Sequence, residues 1–139
     1  MLHDRMLGRS EARTIPLRLL AHLGDAVFDL YVRELEILTS ISARQLHHKV
    51  TAIVRAARQA ELLDSLLSTL DETEAEIVRR ARNLKPAGYR KSGQGAYRKA
   101  TAFEALVGYL YLTDRERLRA LLKTCMDTPL ATAESARDS

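Results

Sequence analysis

The sequence predicts an all-α protein, and composition, periodicity and punctuation each point that way. Ala, Leu and Arg dominate the 139 residues, which hold six Gly, three Pro and no Trp, a mixture that favours helix. Apolar residues recur at three- and four-residue steps through most of the chain, and no alternating run marks a strand. Residues suited to capping helices stand at the breaks in that periodicity. Hydrophobic residues make up 46% and charged residues 29%, which fits a globular core and excludes a mostly disordered chain. The length suits a single domain.

In chain order, about six helices are expected. Residues 1–16 read as a lead-in, with Thr14 capping and Pro16 in the first turn of a helix over Leu17–Leu38. Its apolar stripe is Leu20, Leu23, Val27, Phe28, Tyr31, Leu35 and Leu38. Thr39–Ser42 is a turn, and Ser42 caps a helical stretch reaching about Leu70 in two pieces. Asp71 and Glu74 have capping-box spacing for a helix over Glu72–Leu84. "KPAGYRKSGQGAY" holds three Gly and one Pro without periodicity, so it reads as a loop, long enough to suggest function. Helical spacing resumes in "RKATAFEALVGYLYL". Thr113 and Glu116 then have capping-box spacing for a last helix to Met126, and residues 127–139 are expected to be a disordered tail.

Several function classes fall away. No apolar run approaches a membrane span, and the charged first fifteen residues carry no signal-peptide core, so a cytoplasmic protein is expected. The single cysteine, Cys125, cannot form an internal disulfide, and no Cys/His cluster suggests zinc. His47 and His48 are adjacent, so on a helix they point about 100° apart and read as surface residues rather than co-ligands. No serine sits in a nucleophile-elbow sequence.

The net charge is +4, and its distribution is more informative than its size. No acid occurs from Ile77 to Phe103, a window holding Arg79, Arg80, Arg82, Lys85, Arg90, Lys91, Arg98 and Lys99 with Tyr89 and Tyr97 between them. A second acid-free window, Ile37 to Ala60, holds Arg44, Lys49, Arg55 and Arg58. Either these are solvated helix faces, or they track phosphates by releasing counterions, for which the arginine fork is suited.

Two acids stand in unsuitable company. Asp25 lies between Gly24 and Ala26-Val27-Phe28, at the edge of the apolar stripe. Glu104 lies in "TAFEALVGYLYL", the most hydrophobic segment, with Gly108 one turn later. Such a carboxylate must be paired, protonated or bound to a cation. Internal ion pairs to arginine would serve. Alternatively the glycines let two helices approach, so that Asp25 and Glu104 converge on one Mg²⁺. An acidic metal site in basic surroundings is what a nuclease needs.

"LLAHLGDAVFDLYVR" (Leu19–Arg33), "RRARN" (Arg79–Asn83) and "YRKATAFEALVGYLYL" (Tyr97–Leu112) together resemble Mini-ribonuclease III, the ribonuclease III catalytic domain without an appended double-stranded-RNA-binding domain. The resemblance implies that residues 17–126 form a ribonuclease III-like catalytic domain. It implies a homodimer that hydrolyses double-stranded RNA with Mg²⁺ (Mn²⁺ substituting), leaves 5′-phosphate and 3′-hydroxyl ends, and matures large-subunit (23S) ribosomal RNA in the bacterial cytoplasm or plastid stroma. Asp25 and Glu104 match the family's catalytic and metal-binding acids. Arg80, Arg82 and Asn83 fall on its basic helix motif, with Ala81 where glycine is usual. Tyr97 and Arg98 match the approach to the catalytic helix, and the loop carrying Lys85, Arg90 and Lys91 looks like the element that enters the RNA groove. A ribosomal protein that presents the RNA is a further candidate partner. Three acids of full-length ribonuclease III are replaced here by Arg18, Ala21 and Thr101, as in the Mini type. Asp29 reads equally as an aid to the metal or as a surface acid near Arg33. A non-catalytic RNA-binding or ribosome-assembly factor on the same fold, and a helical protein-interaction module, are the rival readings.

Overall fold

A computed structural model of the chain describes residues 5–84 and 94–127. Among these residues there are seven helices and no strand: α1 (Arg9–Arg13), α2 (Leu17–Ile37), α3 (Ala43–Val54), α4 (Ala56–Leu66), α5 (Glu72–Arg82), α6 (Gln94–Thr113) and α7 (Arg115–Met126), with a 3₁₀ turn at Leu67–Thr69. The all-α expectation holds. The additional helix is α1, part of the expected lead-in. It is pinned to α6 by the fully buried Ala12 and by the Leu7 amide donating to the Leu112 carbonyl at 2.7 Å.

α6 is the axis around which the others pack, touching α1, α2, α4, α5 and α7. Ala100, Ala102, Phe103 and every residue from Ala105 to Leu110 are buried, so α6 is apolar nearly all round, as a central helix must be. Phe103 meets Phe28 of α2 edge to face, with centroids 5.0 Å apart.

The closest approach in the fold is α2 against α6, and it rests on two glycines. A Cβ on Gly24 would overlap the Glu104 carbonyl and lie 2.9 Å from the Gly108 amide nitrogen, and a Cβ on Gly108 would overlap the Leu20 carbonyl. Only glycine at both positions lets the two backbones touch.

Local capping follows the sequence at two helices and departs from it at two others. Ser42 accepts from the Gln45 amide, and Asp71 with Glu74 forms the full capping box. Thr14 instead donates to the Glu11 carbonyl, closing α1, and α2 begins after Pro16 with no side-chain cap. Thr113 ends α6 by donating to the Tyr109 carbonyl, and Asp114 takes the α7 cap, accepting from the Arg117 amide. A carboxylate suits the positive end of a helix better than a hydroxyl does. The stretch expected to break into two pieces does so at Arg55, whose extended backbone (φ −66°, ψ 154°) separates α3 from α4.

Two other expectations are corrected. Gln94–Tyr97, read as loop, is the first turn of α6; the rest of that loop and residues 128–139 lie outside the described residues. The apolar stripe of α2 buries Leu20, Ala21, Gly24, Phe28 and Val32, whereas Leu35 and Leu38 at its end are exposed. No helix among the described residues is long and apolar enough to cross a membrane.

Candidate active site

Asp25 and Glu104 come from positions 79 residues apart in the sequence, and the glycine crossing brings them together. Gly24 fixes the place where α2 touches the Glu104 carbonyl, so the next residue of α2 stands beside the Glu104 side chain. The Asp25 side chain is near enough to raise the proton affinity of Glu104. Burial pushes the Glu104 pKa up to about 8, the hydrogen bond and negative charge of Asp25 add to the rise, and the Gln59 side chain opposes it. Such a rise favours the protonated, uncharged form of Glu104 when no cation is bound.

The surroundings correct one premise. Glu104 is half-buried, but Asp25 is exposed: it stands at the open mouth of the site, not inside it. Among the described residues, neither acid makes an ion pair with a basic side chain, so the arginine-pair alternative is not what the fold uses. Asp29 accepts from the Arg33 Nε at 2.8 Å and behaves as the surface acid. Thr101 donates to the Tyr97 carbonyl. His47 and His48 are both exposed.

The donor set fits a hard, water-rich cation. No cluster of three or more His, Cys, Asp or Glu able to hold a metal occurs among the described residues. The described residues therefore build no zinc cage, whereas Mg²⁺ takes one or two carboxylates and fills its remaining positions with water and phosphate oxygen. A carboxyl group that holds a proton in such a place can exchange it for a cation.

A second feature is basic. A cleft of about 340 Å³ between the end of α5 and the start of α6 is lined by Arg79, Arg82, Asn83, Arg98 and Lys99 over an apolar floor of Leu67, Leu70 and Val78. Lys99 pairs with Asp64 at 3.0 Å, and the buried Nε of Arg98 has no hydrogen-bond partner. The fold thus gathers Arg82, Asn83 and Arg98, as the sequence suggested, and adds Arg79 and Lys99. Arg80 is exposed outside the cleft. Tyr97 lies seven residues before Glu104, on the same stripe of α6. Lys85, Arg90 and Lys91 lie outside the described residues.

The Ribonuclease III domain family matches residues 18–115. This span includes both acids and the whole of the basic cleft. The chain belongs to the ribonuclease III family. Within that family its relatives are Mini-ribonuclease 3 proteins. It is 45% identical over 120 residues to that of Synechococcus sp., covering 86% of this chain and 87% of the relative. It is 42% identical over 117 residues to that of Symbiobacterium thermophilum, covering 82% and 90%. A crystal structure of a protein from Fusobacterium nucleatum superimposes with a TM-score of 0.72 at 30% identity, covering 82% of this chain and 94% of that one. This Mini-ribonuclease III family member is an endoribonuclease on the ribonuclease III fold. Its family acts on double-stranded RNA and generally uses a divalent metal.

One residue near the candidate site escaped the sequence reading. Gln59 of α4 is only 2% exposed and faces Glu104. The signal was present: Gln59, Leu62, Leu63 and Leu66 fall at i, i+3, i+4 and i+7, which puts an amide on the core-facing stripe of the helix.

Proposed function

We propose that this endoribonuclease cleaves double-stranded RNA at the Asp25–Glu104 pair with Mg²⁺, with Mn²⁺ able to substitute, and that its substrate is a large-subunit (23S) ribosomal RNA precursor in the cytoplasm. The observation that carries the reading is the convergence of the two carboxyls without an arginine partner. Asp25 and Glu104 would hold the cation. When bound, it supplies Lewis acidity, favouring deprotonation of the attacking water and neutralising charge on the departing oxygen. Asp25, at the open side, faces the arriving phosphate. Glu104, half-buried on α6, keeps the pair in register with the α2–α6 crossing.

Residues 17–126 are assigned as the catalytic unit. Arg82, Asn83 and Arg98, flanked by Arg79 and Lys99, supply the cationic seat for the RNA backbone, with Arg80, Lys85, Arg90, Lys91 and Tyr97 extending it. A-form RNA is read mainly by shape and backbone, so affinity should fall steeply with salt. Homodimerisation is supported by a second apolar stripe on α2. Leu19 (60% exposed), Leu30 (52%) and Ile37 (60%) are spaced by 11 and 7 residues and share one face of the helix. Such a row on a surface is suited to a symmetric partner.

The test uses labelled duplex RNA with wild type and Asp25→Asn, each with Mg²⁺ or with EDTA. Cleavage by wild type in Mg²⁺ alone is expected. An intact duplex at every Mg²⁺ concentration overturns the reading.

A further inference from the structure

The cleft between α5 and α6 has two unlike halves, and a duplex backbone needs only one of them. Its rim is cationic. Arg79, Arg82 and Arg98 line it and make no ion pair among the described residues. No carboxylate among the described residues lines it. Gly95 brings the first turn of α6 to the same place, so the positive end of a 20-residue helix adds to the field. Arg98 contributes a guanidinium whose buried Nε has no hydrogen-bond partner. A cation partly withdrawn from water and short of an acceptor gains most from a phosphate, whose oxygens accept two parallel N–H bonds.

The other half is apolar: Leu67, Leu70 and Val78 form the floor. Leu67 is 42% exposed, so part of that floor is open to solvent. The phosphates of an RNA duplex stand on its outside with the bases paired within, so its backbone has nothing to lay on leucine and valine. An unpaired nucleotide does, because its base presents a flat π-face while its phosphate carries the charge. Asn83 at the rim offers a donor and an acceptor for a base edge. The volume of about 340 Å³ lies at the small end of ligand sites, which run from about 300 to about 1,000 Å³. Position separates this seat from the acids. Arg98 precedes Glu104 by six residues on α6, about 9 Å along the helix axis and about 120° around it.

We propose that this cleft binds one unpaired nucleoside phosphate, its phosphate on Arg98 and Arg82 and its base over Leu67 and Leu70. A free mononucleotide and an unpaired nucleotide of the RNA both have this chemistry. The site rests on the reading of the cleft as a seat for RNA phosphate, and adds a place for the base.

The probes are 5′-AMP, adenosine and inorganic phosphate, titrated calorimetrically into the full chain in EDTA, so that no cation at the acids takes part. 5′-AMP should bind about tenfold or more tightly than either fragment, because only it fills both halves. Arg98→Met should weaken 5′-AMP binding about tenfold or more. Leu67→Ser should weaken 5′-AMP several-fold and leave phosphate binding unchanged. Melting curves establish that each variant is folded, and Arg82→Met, at an exposed residue, replaces Arg98→Met if the latter does not fold. Absence of 5′-AMP binding, or wild-type 5′-AMP affinity in the folded arginine variant, overturns the proposal. So does equal affinity for 5′-AMP and phosphate, or a Leu67→Ser protein that binds 5′-AMP as wild type does. Given 5′-AMP binding, a blunt duplex and the same duplex with one unpaired end nucleotide distinguish the sources. Tighter binding of the second, competed by 5′-AMP, assigns the site to RNA, and equal binding of the two assigns it to the free mononucleotide. Duplex binding that weakens in Arg98→Met while 5′-AMP does not bind leaves the phosphate seat standing and refutes the nucleotide site alone.

Discussion

Gly24→Ala tests the geometric basis of the site. Added to Gly24, a Cβ lies 2.6 Å from the Glu104 carbonyl carbon, 0.8 Å short of the 3.4 Å at which ordinary contact begins, and it overlaps the oxygen more severely. The atoms it meets are backbone, so no side chain can swing aside, and α2 and α6 must separate by about 1 Å or more. Overpacking of this kind costs up to about 3 kcal/mol, and removing a glycine from a helix interior returns about 1 kcal/mol. The net loss is about 2 kcal/mol, or roughly 5–8 °C in Tm for a domain of this size. The same displacement parts Asp25 from Glu104, and a 1 Å misplacement of reacting groups can cost about 100-fold in rate. Thermal melts in EDTA read the first effect and duplex-cleavage kcat the second. Gly95→Ala is the control for propensity, because a Cβ there meets nothing within 4 Å, and it should melt at or slightly above wild type. A Gly24→Ala protein with wild-type Tm and kcat would show that the helices are not held together at these glycines, and the account of how the acids meet would fall.

The Glu104 pKa, raised to about 8 from 4.5, makes metal-free stability depend on pH. Between those values the folded state keeps a proton that the unfolded state has released, so the contribution is complete below about pH 4.5 and is lost as pH rises toward 8. Urea melts in EDTA should show this decline in wild type but not in Glu104→Gln, and an identical slope in the two would remove Glu104 as its source. Mg²⁺ binding below pH 8 should release a proton, detectable by calorimetry in buffers of different ionisation enthalpy. At the far side of α5, Arg117 makes a two-pronged pair with Glu74 at 2.9 and 3.0 Å and also donates to the Thr69 carbonyl. Glu74 is 2% exposed, so Arg117→Met should cost about 3–5 kcal/mol by urea unfolding, with much of the loss recovered in Arg117→Met/Glu74→Gln. Arg82→Ala and Arg98→Ala should each weaken duplex RNA binding and reduce the slope of log K against log[salt] by about one; filter binding with unchanged slopes would remove them from the phosphate contacts.

Much of the fold was readable because its signals are local. Ser42 and the Asp71–Glu74 box announce their helices within four residues, and the period of α2 and α4 through α7 needs no knowledge of neighbours. The misassigned caps show the limit of such reading. Thr14 and Asp114 are close competitors with their neighbours for one cap, and the outcome depends on whether a hydroxyl is already engaged by the preceding helix, as Thr14 is by Glu11 and Thr113 by Tyr109. Leu35 and Leu38 continue the α2 period past the point where α6 still covers it, so periodicity promised burial that the helix crossing does not provide.

By itself the sequence singled out the side chains proposed to carry chemistry: an aspartate and a glutamate each within one helical turn of a glycine, and arginines in windows free of acids. Only tertiary structure decided how they combine. The α2–α6 contact brought two isolated acids together, one half-buried and one exposed. It also buried the amide of Gln59, on α4, where it bonds the Val54 carbonyl at the break between α3 and α4. Residue type is fixed along the chain, but a carboxylate's partners, burial and proton affinity are properties of the space around it, and that space exists only once the helices pack.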